Sequence, residues 1–350
     1  MNRDVSIFLD LTRVLAAYLV FLSHSAAAVY SGGLLWQISG LGREAVDVFF
    51  VLSGFVIAHV TSTGEPHARD YAVNRIARVL SVALPALALT WLLDRIGTTM
   101  RPSVYSGFCC EPDTAWIAYL RNLFFLGDIW SQNLIPGSNR PYWSLGYEVW
   151  YYITFGLLTF LPRRLALPAA ALALAVAGPG IAILFPLWLL GNTCYRQTVP
   201  PRYGAPLMAL GLLGALGVAT FGMRQGDIYN PFTLQPGRLL DYAHDYAMGL
   251  AFAAILTGFR AIAPRVAAPL RAIERPIRWL AGGTFALYLF HVPLLRFLAA
   301  ILPLRPASWP MWITIHTTVP LACFALAELT ERRKSWWRAA VDRLIPGKPQ

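Results

Sequence analysis

Arg13 and His24 lie eleven residues apart in the run RVLAAYLVFLSH, and both residue types are costly in hydrocarbon. On a helix that spacing is three turns plus about 20°, so the side chains share one face ~16 Å apart. Ionisable groups within an apolar span face a polar interior or a water-filled cavity; the plainer reading is a snorkelling or cavity-lining pair of structural use. Asp47 stands near the start of a second apolar stretch, GREAVDVFFVLSGFVIAH (42–59). Glu148 stands near the start of another, PYWSLGYEVWYYITF (141–155), with Trp143 and Ser144 just before it. Counting from the ends of those stretches brings His24, Asp47 and Glu148 to one depth. A histidine and two carboxylates so placed are the groups of acid–base chemistry or of a proton path.

Other residues carry weaker signals. In NRIARVL (74–80), Arg75 and Arg78 are three apart and share a helix face at the mouth of a span. They are either ordinary anchoring charges or a phosphate clamp, because guanidinium pairs match phosphate geometry. GTFALYLFHVPLL (283–295) places Tyr288 and His291 inside an apolar segment, the histidine two residues before Pro293. Trp143, Ser144, Tyr288 and His291 are candidate substrate contacts, although a buried histidine is more often structural. The pair Ser53–Gly54 reads as a packing notch rather than a site. In DYAHDY (241–246), acidic residues at a helix start need no metal to explain them. The four cysteines show no CxxC or Cys/His metal spacing, so no metal site is expected.

These groups need long apolar elements to position them. The chain has 350 residues, 57% hydrophobic and 13% charged, against roughly 25% charged in a soluble domain. Apolar windows near 5–30, 43–62, 76–96, 142–161, 165–178, 181–194, 203–222, 240–259, 279–300 and 309–330 predict an all-α, polytopic membrane bundle of about ten spans. The N-terminal stretch resembles a signal peptide, but Asp4, Asp10 and Arg13 interrupt it, so it is expected to remain as a helix. With both termini cytoplasmic, 19 of the 29 basic residues fall inside and seven outside. Merging 165–194 into one span would reverse that balance, so a hairpin is expected at AGPGI (177–181). The charge of +11 is thus dispersed over inner loops and the tail; the expected partner is the bilayer, not nucleic acid. AWIAYLRNLFFL (115–126) is too short to span and reads as an interfacial or re-entrant helix. One membrane domain over 1–335 and a short basic tail over 336–350 complete the expected organisation.

Together these stretches resemble the acyltransferase-3 family of integral membrane O-acyltransferases. The resemblance rests on R-VLAAYLVFLS-H, VDVFFVLSGFVIA, NRIAR, YWSLGYE and FALYLFHVP, in that order over most of the chain. It implies transfer of an acyl group, commonly acetyl, from cytoplasmic acyl-coenzyme A to a hydroxyl of an exported glycan, lipid-linked saccharide or similar acceptor, in the inner membrane. His24 would be the catalytic base, Arg13 its motif partner, and Glu148 the group that orients or charge-compensates the histidine. Arg75 and Arg78 would meet the coenzyme A phosphates; Asp47 remains a catalytic candidate from its depth beside His24 and Glu148. The chain departs from many relatives in having Ser81 where they carry a proline, and no esterase-like domain is expected after the tenth span. A proton-coupled exporter of a polysaccharide or lipid intermediate would use the same residues as a relay, but it predicts matching Gly/Pro breaks in both halves. A non-catalytic scaffold in an export complex is a third reading. The motifs leave acceptor, acyl length and oligomeric state open.

Overall fold

A computed structural model describes residues 1–106, 115–225 and 238–345, and these form helices with no strand among them. The α-helices of eight residues or more are α1 (Arg3–Ser25), α2 (Gly42–Thr63), α3 (Ala68–Met100), α4 (Ala115–Leu123) and α5 (Tyr142–Phe160). They continue as α6 (Arg163–Ala177), α7 (Pro179–Arg196), α8 (Pro201–Gln225) and α9 (Arg238–Val266). The last four are α10 (Glu274–Ala281), α11 (Thr284–Ile301), α12 (Trp309–Leu329) and α13 (Lys334–Leu344). All but α4, α10 and α13 fall on the ten apolar segments read from the sequence. Seven of the described helical stretches are long and apolar enough to cross a membrane. The other three are limited by composition or length: α6 has 15 residues, α5 is rich in Tyr and Trp, and α7 ends in NTCYR. The chain is an all-α polytopic membrane protein. Cys109, Cys110, Lys348 and the segment 226–237 lie outside the described residues.

The stretch 165–194 is two helices. Gly178, the single residue between α6 and α7, has φ 93°, a conformation that costs glycine little and other residues much. Pro179 follows at the first position of α7, where its missing N–H leaves nothing unsatisfied.

The chain divides into two compact units. The first comprises Met1–Ser23, Gln37–Gly64 and Ile183–Thr284. Within it α2 and α7 approach almost to backbone contact. A Cβ on Gly54 would lie 1.9 Å from the Trp188 carbonyl oxygen, and one on Gly191 1.9 Å from that of Val51. The Ser53–Gly54 pair is therefore the packing notch expected. Ion pairs tie the start of α1 to the segment around α10: Arg3 to Glu274 at 2.5 Å, Arg271 to Asp4 at 2.5 Å, and Arg278 to Asp10 at 2.8 Å. Hydrogen bonds from Arg3 and Arg278 hold the Glu274 carboxyl below its ordinary range. Near the N-terminal ends of α2 and α9, Arg43 meets Asp245 at 2.5 Å and Asp241 at 3.5 Å, and His244 meets Glu44 at 2.9 Å. The DYAHDY cluster is thus engaged by α2.

The second unit comprises His24–Trp36, Glu65–Ala182 and Phe285–Gln350. Its connection between α4 and α5 is pinned by side chains. Asp94 accepts from the Ser138 backbone N–H and hydroxyl, each at 2.7 Å, and burial pushes the Asp128 carboxyl up to about 7. On α4, Ala118 and Asn122 are buried while Trp116 and Leu120 are exposed, a short amphipathic helix as read from the sequence. The basic tail begins as helix. In α13 Val341 packs with Val73 and Ala77 of α3, and Arg69 donates to the carbonyl of Ile345 at 2.9 Å.

Candidate active site

The second unit brings His24 and His291 together. His291, fully buried on α11, has its Nε2 3.0 Å from His24 Nδ1 and its Nδ1 2.9 Å from the Leu287 carbonyl oxygen. Pro293 helps fix this helix. It has no N–H to offer the Leu289 carbonyl one turn back, and Asn139 donates to that oxygen instead at 3.0 Å. The proline therefore attaches α11 to the connection before α5 beside the histidine pair.

On α5, Ser144, Glu148 and Tyr152 recur every four residues and so share one helix face. The Ser144 hydroxyl lies 2.6 Å from that of Tyr288, whose ring is 6.5 Å from the His291 ring. Trp143 packs edge-on against Tyr147 at 5.1 Å. Glu148 accepts a hydrogen bond from the Tyr152 hydroxyl. His24 thus meets His291, and Glu148 meets the tyrosine one turn along its own helix.

Tyr152 leads on to the arginines. Arg78 of α3 is within hydrogen-bonding and charge range of Tyr152 and also feels Glu148 and Glu331. Glu331 in turn accepts from the N–H groups of Phe285 and Ala286 at 3.1 Å each, which caps the first turn of α11. Arg75 lies over the rings of Tyr71 at 5.7 Å and Tyr152 at 5.8 Å. One of its terminal nitrogens donates to Glu65 at 2.7 Å. Its Nε is buried and finds no acceptor among the described residues. A line of polar side chains from His24 through Tyr288, Ser144, Glu148 and Tyr152 to Arg78 and Arg75 therefore runs within one unit.

Arg13 and Asp47 belong to the first unit. There Arg13 is 3.6 Å from Asp10, and the buried Asp47 is hydrogen-bonded to Asp245. The arginines of the 260–278 stretch are largely committed as well: Arg260 donates to the carbonyls of Gln197 and Tyr195, and Arg271 and Arg278 pair with acids.

Sequence reasoning missed Glu65, Tyr71 and Tyr152. Tyr152 was legible as the i+4 neighbour of Glu148, and Tyr71 as the i−4 neighbour of Arg75. Glu65 carries no periodic signal, because it sits in the short turn between α2 and α3.

The family model described as an acyltransferase domain matches residues 6–328. Among curated proteins, the chain is similar to acyltransferase MdmB of Streptomyces mycarofaciens, 28% identical over 179 residues, which is 49% of this chain and 43% of that protein. It is also similar to exopolysaccharide production protein ExoZ of Rhizobium meliloti (strain 1021), 25% identical over 209 residues, covering 52% of this chain and 61% of that one. The chain thus spans 43% and 61% of the length of these two relatives. No solved structure matches it.

Proposed function

We propose, from the premise that the chain belongs to the acyltransferase-3 family of membrane acyltransferases, that it moves an acyl group, most simply acetyl, from acyl-coenzyme A to a hydroxyl of a saccharide or similar exported acceptor. His24 is the general base. It takes the acceptor hydroxyl proton as that oxygen attacks the thioester carbon. The carbon–sulfur bond breaks, coenzyme A leaves as the thiolate, and the proton held on His24 returns to it. Coenzyme A and the acylated acceptor are the products, and no further reactant is needed.

Coenzyme A carries phosphates that resist entry into hydrocarbon, so a basic site must hold them. The observation that carries this reading is the buried Arg75 Nε, which finds no acceptor among the described residues. A buried donor left unmet costs about 1–3 kcal/mol, and a phosphate oxygen would meet it. Arg78 stands one turn along the same helix and supplies the second guanidinium. The uncharged pantetheine arm then follows the polar line toward His24, with Ser144, Tyr288 and Trp143 contacting substrate. Glu148 balances the charge of Arg78. Arg13 is the motif partner of His24, and Asp47 is a further catalytic candidate.

The relatives' names support acyl transfer and a link to saccharide. An exporter using the same groups as a proton relay is the weaker reading, since the family is one of acyltransferases. The inner membrane is the site of action and the donor binds on the cytoplasmic side, consistent with the excess of arginine on the loops assigned there.

The test uses surface glycans of cells with and without the gene, analysed by mass spectrometry. An acyl mass lost on deletion and restored by wild-type protein but not by the His24→Ala variant is expected. Identical glycan masses, together with no acyl transfer from acetyl-coenzyme A by protein in nanodiscs, would overturn the reading.

A further inference from the structure

His291 has no role assigned by the family motif around His24, yet its two ring nitrogens decide where the protons of the pair reside. Its Nδ1 lies 2.9 Å from the Leu287 carbonyl oxygen, and a carbonyl only accepts. Nδ1 must therefore carry hydrogen. His291 is 0% exposed, and burial disfavours the charged imidazolium, so the ring is taken as neutral. In the neutral ring, Nε2 is then the acceptor. His24 Nδ1, 3.0 Å away, must be the donor.

We infer that His291 is a positioning residue which fixes His24 as its Nδ1–H tautomer and so presents Nε2 as the nitrogen that accepts the acceptor hydroxyl proton. The assignment rests on the proposal that His24 is the general base. Two hydrogen bonds in series set it: His24 Nδ1–H donates to His291 Nε2, and His291 Nδ1–H donates to Leu287. When His24 Nε2 gains a proton during transfer, Nδ1 keeps its own and the bond to His291 persists. The imidazolium thus forms with its orienting contact intact, and no proton has to pass to His291. Helix α11 is suited to this task, since the Leu287 carbonyl one turn before His291 is fixed by the helix itself and Asn139 anchors Leu289 beside it.

The measurement is a set of His291 variants in nanodiscs with acetyl-coenzyme A as donor and the surface glycan fraction as acceptor. His291→Gln keeps an acceptor oxygen within reach of His24 Nδ1–H and should retain kcat within about tenfold. His291→Leu removes the acceptor and should lower kcat on the order of 100-fold, with KM for acetyl-coenzyme A unchanged. Equal losses in both variants, or wild-type kcat in both, would overturn the assignment. Should either variant fail to insert, ¹⁵N magnetic resonance of histidine-labelled wild type decides independently. With the His24→Ala spectrum subtracted, the His24 ring should show a protonated Nδ1 and a bare Nε2; the opposite tautomer overturns the inference. Failure of the parent proposal reads differently, because His24→Ala would then transfer acyl groups normally whatever the tautomer.

Discussion

At the scale of single residues, the proposed roles of His24 and of the arginine pair are separable. Replacing His24 by alanine would remove the proposed base but none of the groups that hold α5 and α11 together through Ser144 and Tyr288. Acyl transfer should fall by about 100-fold or more while membrane insertion and coenzyme A binding persist, as followed by product formation and by calorimetry on the same nanodisc preparation. The arginines should show the reverse pattern. Arg75→Ala and Arg78→Ala should each cost about 1.5–3 kcal/mol of coenzyme A binding, roughly 10- to 150-fold in Kd. Isothermal titration with coenzyme A checks this, and an unchanged Kd in the double variant would move the donor site. The 260–278 arginines are poor substitutes, because Arg271 and Arg278 are already held by Asp4, Asp10 and Glu274.

Elements position these residues, and two of them make predictions of their own. The α2–α7 crossing depends on the missing side chains of Gly54 and Gly191. Gly54→Ala puts a methyl 1.9 Å from a backbone oxygen, which cannot rotate away as a side chain would, so the helices must separate. Destabilisation of about 1–3 kcal/mol is expected, seen as a lower melting temperature in detergent. The connection before α5 behaves differently, through Asp128. Its carboxyl titrates near 7 in the folded chain because burial disfavours the charge, against roughly 3.9 when unfolded. Between those values the folded form holds a proton that the unfolded form has released, so stability falls as pH rises through the interval and levels above about 7. Asp128→Asn removes the titration. Its melting temperature relative to wild type should therefore climb from pH 4 to pH 7 and then plateau, measured by scanning fluorimetry across buffers.

For the whole molecule, the proposed orientation rests on the distribution of arginine, with which the α6–α7 break is consistent. If α6 and α7 both cross, the connection around Ala268 lies on the side of the N-terminus and Ser103 on the other. With the native cysteines replaced by serine, Ser103→Cys should react with an impermeant thiol reagent in intact cells and Ala268→Cys should be protected. Both positions are exposed in the structure, so protection reports the membrane rather than burial. Labelling at Ala268→Cys would place the later helices the other way round.

Much of this protein was determined by its sequence alone. Hydropathy located the ten long helices because a chain in hydrocarbon must satisfy its backbone within each segment, so apolar length maps directly to helix. Gly178 and Pro179 marked the α6–α7 break because their backbone restrictions are local. The i, i+3 and i, i+4 spacings put Arg75 with Arg78, and Ser144 with Glu148, on single helix faces for the same local reason. What the tertiary structure decided was which faces meet. No spacing joins His24 to His291 across 267 residues, or Arg75 to Glu65 over a turn, and periodicity would as readily have given His24 to Glu148. Hydrogen bonds are short and directional, so partner choice depends on how helices rotate and cross, and that is set by close contacts such as the Asn139–Leu289 bond, not by the pattern along any one helix.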